Sequence, residues 1–87
     1  MKLHEVTQRM LEKYEQALHD NAEKAEELHS VARYNRCIIE SAIKTGMAEM
    51  EDDFPTDLLD VPVWKVQELS LEIVKHVAAA KAPPDPN

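Results

Sequence analysis

Four histidines and one cysteine are the residues of this 87-residue chain best suited to metal or nucleophilic chemistry, and their spacing limits both. No two histidines stand four apart, and no His–Cys group has zinc-finger spacing. Glu26 and His29 form one Glu-x-x-His, which places both side chains on one helix face as in di-iron bundles. Such a centre needs further carboxylates and a second copy of the pattern, which only an oligomer would supply here. The expectation is no resident metal and no cofactor, with a helical metal-binding oligomer as one alternative. Cys37 would be a nucleophile only with a histidine base held beside it. Its sequence neighbours are Arg33, Arg36, Ile38, Ile39 and Glu40, which suits a small, half-buried apolar residue. A single glycine cannot build a phosphate-binding loop. No catalytic residue is assigned, and the chain is read as not an enzyme.

The densest chemistry lies in EMEDDFPTDLLDVPVWKV, residues 49–66. Glu49, Glu51, Asp52, Asp53, Asp57 and Asp60 carry six negative charges before the first lysine, Lys65, and account for all but one of the net −7. A calcium loop needs acids at alternate positions around a central glycine and a terminal glutamate. Phe54 and Pro55 interrupt the acids here and no glycine follows. Two readings remain: a solvated joint between helices, or a docking surface for a basic partner. The only tryptophan, Trp64, closes the stretch. Large aromatics anchor cores and interfaces alike. As core residues, Trp64 and Phe54 would clamp the last helix against the Ile38-to-Ile43 segment. As binding residues they would join Leu71, Asp52, Asp53, Asp57 and Asp60 in a partner site.

The elements that position these residues are helical. From Met1 to Thr45 there is no glycine or proline, and Leu3, Val6, Met10, Tyr14, Leu18, Ala25, Leu28 and Ala32 recur at steps near 3.6. One unbroken helix would be roughly 60 Å or longer at ~1.5 Å per residue, so it either projects and pairs with another chain or breaks near residues 20–30. The Asp20–Glu23 capping spacing and Ser30 mark the places for a break. The phase carried by Ala25 and Leu28 favours one long, gently kinked helix, with two helices as the rival. Asn21 and Asn35 sit on or beside the stripe, where they would set register between paired helices. Gly46 suits a left-handed helix C-cap. Pro55 suits the start of a short turn, and Pro62 opens the last helix. There Val63, Val66, Leu69, Ile73, Val74 and Val77, widened by Trp64 and Leu71, make roughly 200° of the circumference apolar, against the ~100° of a surface helix. Such a helix is either sandwiched or part of an oligomer interface. No strand pattern rises above the helical one. The tail AAAKAPPDPN turns proline-rich at Pro83 and should be extended.

A chain this short has a thin core, and burial from partners or self-association often completes such domains. The acidic balance argues against direct binding to nucleic acid or anionic membranes, which require a positive footprint. No apolar run approaches the ~20 residues of a membrane span, and MKLHEVTQRMLEKYEQ lacks a signal-peptide core. One cysteine fits a reducing compartment.

The segment YNRCIIESAIKTGM…DDFPTDLLDVPVWKVQELSLEIVKHVAAA resembles small proteins encoded among phage and prophage tail genes. The pattern is an acidic, proline-containing linker, a Pro-Trp-like helix start and then V-x-x-L-x-x-x-I-x-x-x-V, here Pro62, Trp64, Val66, Leu69, Ile73 and Val77. Val63 separates Pro62 from Trp64, and residues 1–33 are not covered. The resemblance implies a tail-assembly chaperone or related accessory protein without enzymatic activity.

The expectation is thus an all-α domain over residues 1–80. It comprises one long helix or two over 1–45, an acidic linker over 46–61 and a C-terminal helix over 62–80, followed by a flexible tail at 81–87. Its arrangement is a hairpin or bundle, homo-oligomeric and protein-binding, in the cytoplasm or on a virion. The alternative function is an acidic decoy that occupies a nucleic-acid-binding protein.

Overall fold

Thr7 starts the first helix of the computed structural model, which describes residues 1–26 and 31–82, with 22–26 by backbone alone. Its hydroxyl accepts a hydrogen bond from the Met10 N–H at 3.2 Å, and its carbonyl accepts from Leu11 N–H at 2.9 Å. That is an N-cap, satisfying a donor the helix itself leaves open. Helix α1 runs Gln8–Glu26 and helix α2 runs Val31–Lys44. Residues 1–7 are therefore not helical, contrary to the expectation of helix from Met1. The chain takes the two-helix alternative over 1–45. Residues 27–30, Ser30 among them, lie outside the described residues. Asp20 sits inside α1 and starts no helix.

The two helices fold back on each other. Cys37 lies against the backbone of Asn21, while Lys13 and Gln16 share a cleft with Lys44 and Thr45 at the other end. This antiparallel hairpin shortens the chain to a longest dimension of 43 Å.

Gly46 ends α2 as its spacing predicts. It adopts φ 80°, in the left-handed region. Its N–H donates to the Ile43 carbonyl at 3.1 Å, and Met47 N–H donates to Ala42 at 2.9 Å. These two bonds are the Schellman pair that closes a helix C-terminus. Met47 and Ala42 are both fully buried, which adds the apolar contact of that motif.

Two short strands were not expected. Lys2–Leu3 (β1) pairs antiparallel with Ala48–Glu49 (β2), in register Lys2 to Glu49 and Leu3 to Ala48. The His4 N–H extends the ladder to the Met47 carbonyl at 2.9 Å. The linker then makes a 3-10 turn, Leu58–Asp60, capped by Asp57, whose carboxylate accepts from Leu59 N–H at 3.0 Å. Helix α3 runs Val63–Lys81, with Pro62 as the cap residue. The described residues thus form three α-helices, a 3-10 turn and a two-stranded sheet, so the all-α expectation holds at the level of class.

Helix α2 is the centre of the molecule and packs on both α1 and α3. Cys37, Ile38, Ile39, Ser41 and Ala42 are all buried, because neighbours stand on two sides. The sandwiched helix is therefore α2, not the more apolar α3. Tyr14 from α1, Leu58 and Val61 from the linker, and Val66, Leu69, Ile73 and Val77 from α3 complete the core. Burying each large aliphatic side chain is worth about 1.5–3 kcal/mol.

Candidate interaction surfaces

The wide apolar band of α3 divides into two halves. At 100° per residue, Val66, Leu69, Ser70, Ile73 and Val77 fall within about 100°, and all five are buried. Val63, Trp64, Leu71 and Val74 fall within the next ~100°, and they are 63%, 65%, 53% and 46% exposed. The core has room for only one half, because α2 covers α3 from a single side. Leu59, 70% exposed, lies beside Val63 in a cleft between the 3-10 turn and the start of α2.

This corrects the reading of Trp64 as a core clamp. Its ring stands at the surface, with the Lys65 ammonium 5.8 Å from its centroid. An amphipathic cover of that kind is worth about 0.5–1 kcal/mol at an exposed site. Phe54 does pack against the core, half-buried.

The acidic side chains are all exposed: Glu49, Glu51, Asp52, Asp53, Asp57 and Asp60. The joint is wet, as its composition predicts. Two of the six hold the N-terminal strand. Glu49 accepts from His4 Nε2 at 3.1 Å, and Glu51 pairs with the Met1 ammonium. That ammonium, hydrogen-bonded to the carboxylate, holds Glu51 below the usual glutamate range. Asp57 is spent on its cap. The candidate partner residues therefore do not form one site. Trp64 and Leu71 lie on the exposed half of α3. Phe54, Asp52 and Asp57 line a separate pocket of about 590 Å³, together with Ile43, Met50 and Leu58.

Cys37 and Tyr14 are both buried. Burial pushes the Cys37 thiol upward, Glu40 adding to the effect while Arg36 and Arg33 oppose it. A thiol so raised is a poor nucleophile. Its S–H points at the Asn21 carbonyl, 4.0 Å away. The Tyr14 phenol is pushed up to about 12 by burial, with Tyr34 and Glu15 adding to the rise. Among the described residues no group of three or more His, Cys, Asp or Glu side chains could hold a metal ion. The Glu26–His29 pair lies outside the residues whose side chains are described. No helix, among the described residues, is long and apolar enough to cross a membrane.

Sequence reasoning missed the strap at the N-terminus. The His76 Nε2–H, on α3, donates to the His4 carbonyl at 2.7 Å. No local pattern announces a bond between residues 72 apart. It also missed Ile43 and Met50 as pocket residues: Ile43 reads as core, and Met50 stands alone among acids with no periodic pattern. No protein-family model, curated protein or solved structure matches the chain.

Proposed function

We propose that this chain is a non-enzymatic, acidic helical protein that works by docking to other protein surfaces, including copies of itself. The supporting observation is the exposed half of α3, where Val63, Trp64, Leu71 and Val74 stand on one face beside the core, with the exposed Gln67 between the two pairs. Contiguous apolar surface rimmed by charge marks interaction sites on small domains, and Trp is the side chain most enriched at their energetic centres. Glu68, Glu72, Lys65 and Lys75 flank the strip and would set the orientation of a partner rather than the affinity. The specific form of the proposal is a tail-assembly chaperone or related phage accessory protein, acting in the cytoplasm or on the virion. That form rests on the resemblance of residues 34–87.

Solution mass by light scattering, at low and high salt, tests the docking role. A salt-resistant oligomer that becomes a monomer on Trp64→Asp and Leu71→Asp together supports it. A wild-type monomer that captures no protein from its native host sinks it.

A second reading draws on the acidic stretch: Asp52, Asp53 and Asp60 have no hydrogen-bond or ion-pair partner among the described residues, so their charge is free to meet a basic protein. On this reading the chain is a decoy for a nucleic-acid-binding protein. Neutralising Asp52, Asp53, Asp57 and Asp60 to Asn should abolish a decoy's binding and leave docking through α3 intact.

A further inference from the structure

The pocket beside α2 differs in chemistry from the α3 strip. Its floor is apolar: Ile43, Met50, Phe54 and Leu58. Its rim carries Glu40, Glu51, Asp52 and Asp57 against one base, Lys44. The volume, about 590 Å³, is in the range of small-ligand pockets and would take one or two large side chains. The loop that forms it is pinned at both ends. On one side β2 pairs with β1, and on the other Asp57 caps the 3-10 turn and Leu58 is buried. Between them the Phe54 N–H donates to the Glu51 carbonyl at 3.0 Å, closing a turn. A site so held loses little freedom on binding, which favours affinity.

We infer that this pocket receives a peptide segment of a partner protein, with an apolar anchor side chain on the floor and lysines or arginines against the acidic rim. The inference deepens the proposed docking function by naming a second surface and the chemistry of what it takes. Charge selects the partner. A neutral or acidic anchor would meet Asp52 and Asp57, the two rim carboxylates without a cation beside them among the described residues, whereas a basic one is drawn in and oriented. The apolar floor selects against charge alone, since an oligolysine leaves it wet. Glu51 is already paired with the Met1 ammonium, and Glu40 lies 3.8 Å from the Arg36 guanidinium. Asp52 has no such partner, and it is the rim charge most open to an incoming cation.

Three labelled, amidated hexapeptides test this by fluorescence anisotropy against the whole chain at low salt: Lys-Arg-Leu-Phe-Arg-Lys, hexalysine, and Glu-Glu-Leu-Phe-Glu-Glu. The first should bind at least about tenfold more tightly than the other two. Ile43→Ser, at an exposed floor position, and Asp52→Asn, at the rim, should each weaken it about three- to tenfold, that is about 0.7–1.4 kcal/mol. Circular dichroism reports whether each variant is folded. Trp64→Ala should leave peptide binding unchanged, so that loss of docking through α3 and loss of this pocket are read separately. Hexalysine binding as tightly as the anchored peptide, or no effect of Ile43→Ser, would overturn the pocket in favour of diffuse charge attraction. No binding of the anchored peptide would overturn it outright. A wild-type oligomer dissociated by Ile43→Ser would assign the pocket to a second copy of the chain and equally overturn the inference.

Discussion

The imidazole of His76, on α3, donates its Nε2–H to the backbone carbonyl of His4, 2.7 Å away. A carbonyl only accepts, so Nε2 carries the proton whatever the state of the other ring nitrogen. This bond joins the N-terminal strand to the last helix, while the ladder to Ala48 and Glu49 joins it to the end of α2. His76→Ala should cost about 1 kcal/mol, the worth of one net hydrogen bond. It should also speed amide exchange of His4, whose N–H donates to Met47. His76→Gln, which keeps a donor, should lose less.

The strap has a second fastening at its tip. The ammonium of Met1 lowers Glu51 below its ordinary value. A carboxyl depressed in the folded state adds stability above its unfolded value and loses it as pH falls through the folded one. The strap should therefore loosen as pH falls from the ordinary glutamate range toward the lowered value. N-terminal acetylation removes the ammonium. It should return the Glu51 titration, followed by carboxyl NMR, toward the ordinary range.

Ser41 is fully buried on α2, and its hydroxyl finds no hydrogen-bond partner among the described residues. Ser70, the other buried serine, donates to the Gln67 carbonyl at 3.0 Å. An unmet buried hydroxyl costs about 1–3 kcal/mol. Ser41→Ala should thus be neutral or stabilising by up to about 1 kcal/mol in urea unfolding, against the usual sign for a core substitution. Ser70→Ala should be neutral or mildly destabilising.

Trp64 and Ile73 lie on the same helix with opposite fates. Ile73→Ala, at a fully buried position, should cost about 2–5 kcal/mol. Trp64→Ala should cost no more than about 1 kcal/mol, the worth of its exposed contact with Lys65. In the monomer, Trp64 fluorescence should be red-shifted and readily quenched by acrylamide. A blue-shifted, protected emission that reddens on dilution would locate it in an interface between copies.

The class of this protein was written in local signals. Gly46 closes α2 because only a residue without a Cβ takes φ near 80° without strain. Pro62 begins α3, and the 3.6 period of Val66, Leu69, Ile73 and Val77 names the face that packs. The acids of the linker are exposed because unpaired carboxylates do not enter a thin core. Each of these rests on the chemistry of one residue and its neighbours in the chain.

Other features depended on distance through space. Whether residues 1–45 make one helix or two was open, because the apolar phase runs on through Ala25 and Leu28 and the helix propensities are good on both sides. Packing of α1 on α2 decided it: a small domain buries far more surface with a hairpin than with a rod. Strand pairing of Leu3 with Ala48 left no local trace, since two residues carry no period. The band of α3 was legible as too wide, but not which half would face inward. That choice belongs to α2, which buries Cys37, Ile38, Ile39, Ser41 and Ala42 and leaves Trp64 and Leu71 exposed. The sequence alone determined helix ends, faces and charge; which faces meet was decided only in the tertiary structure, because burial is a property of pairs of elements and not of any one of them.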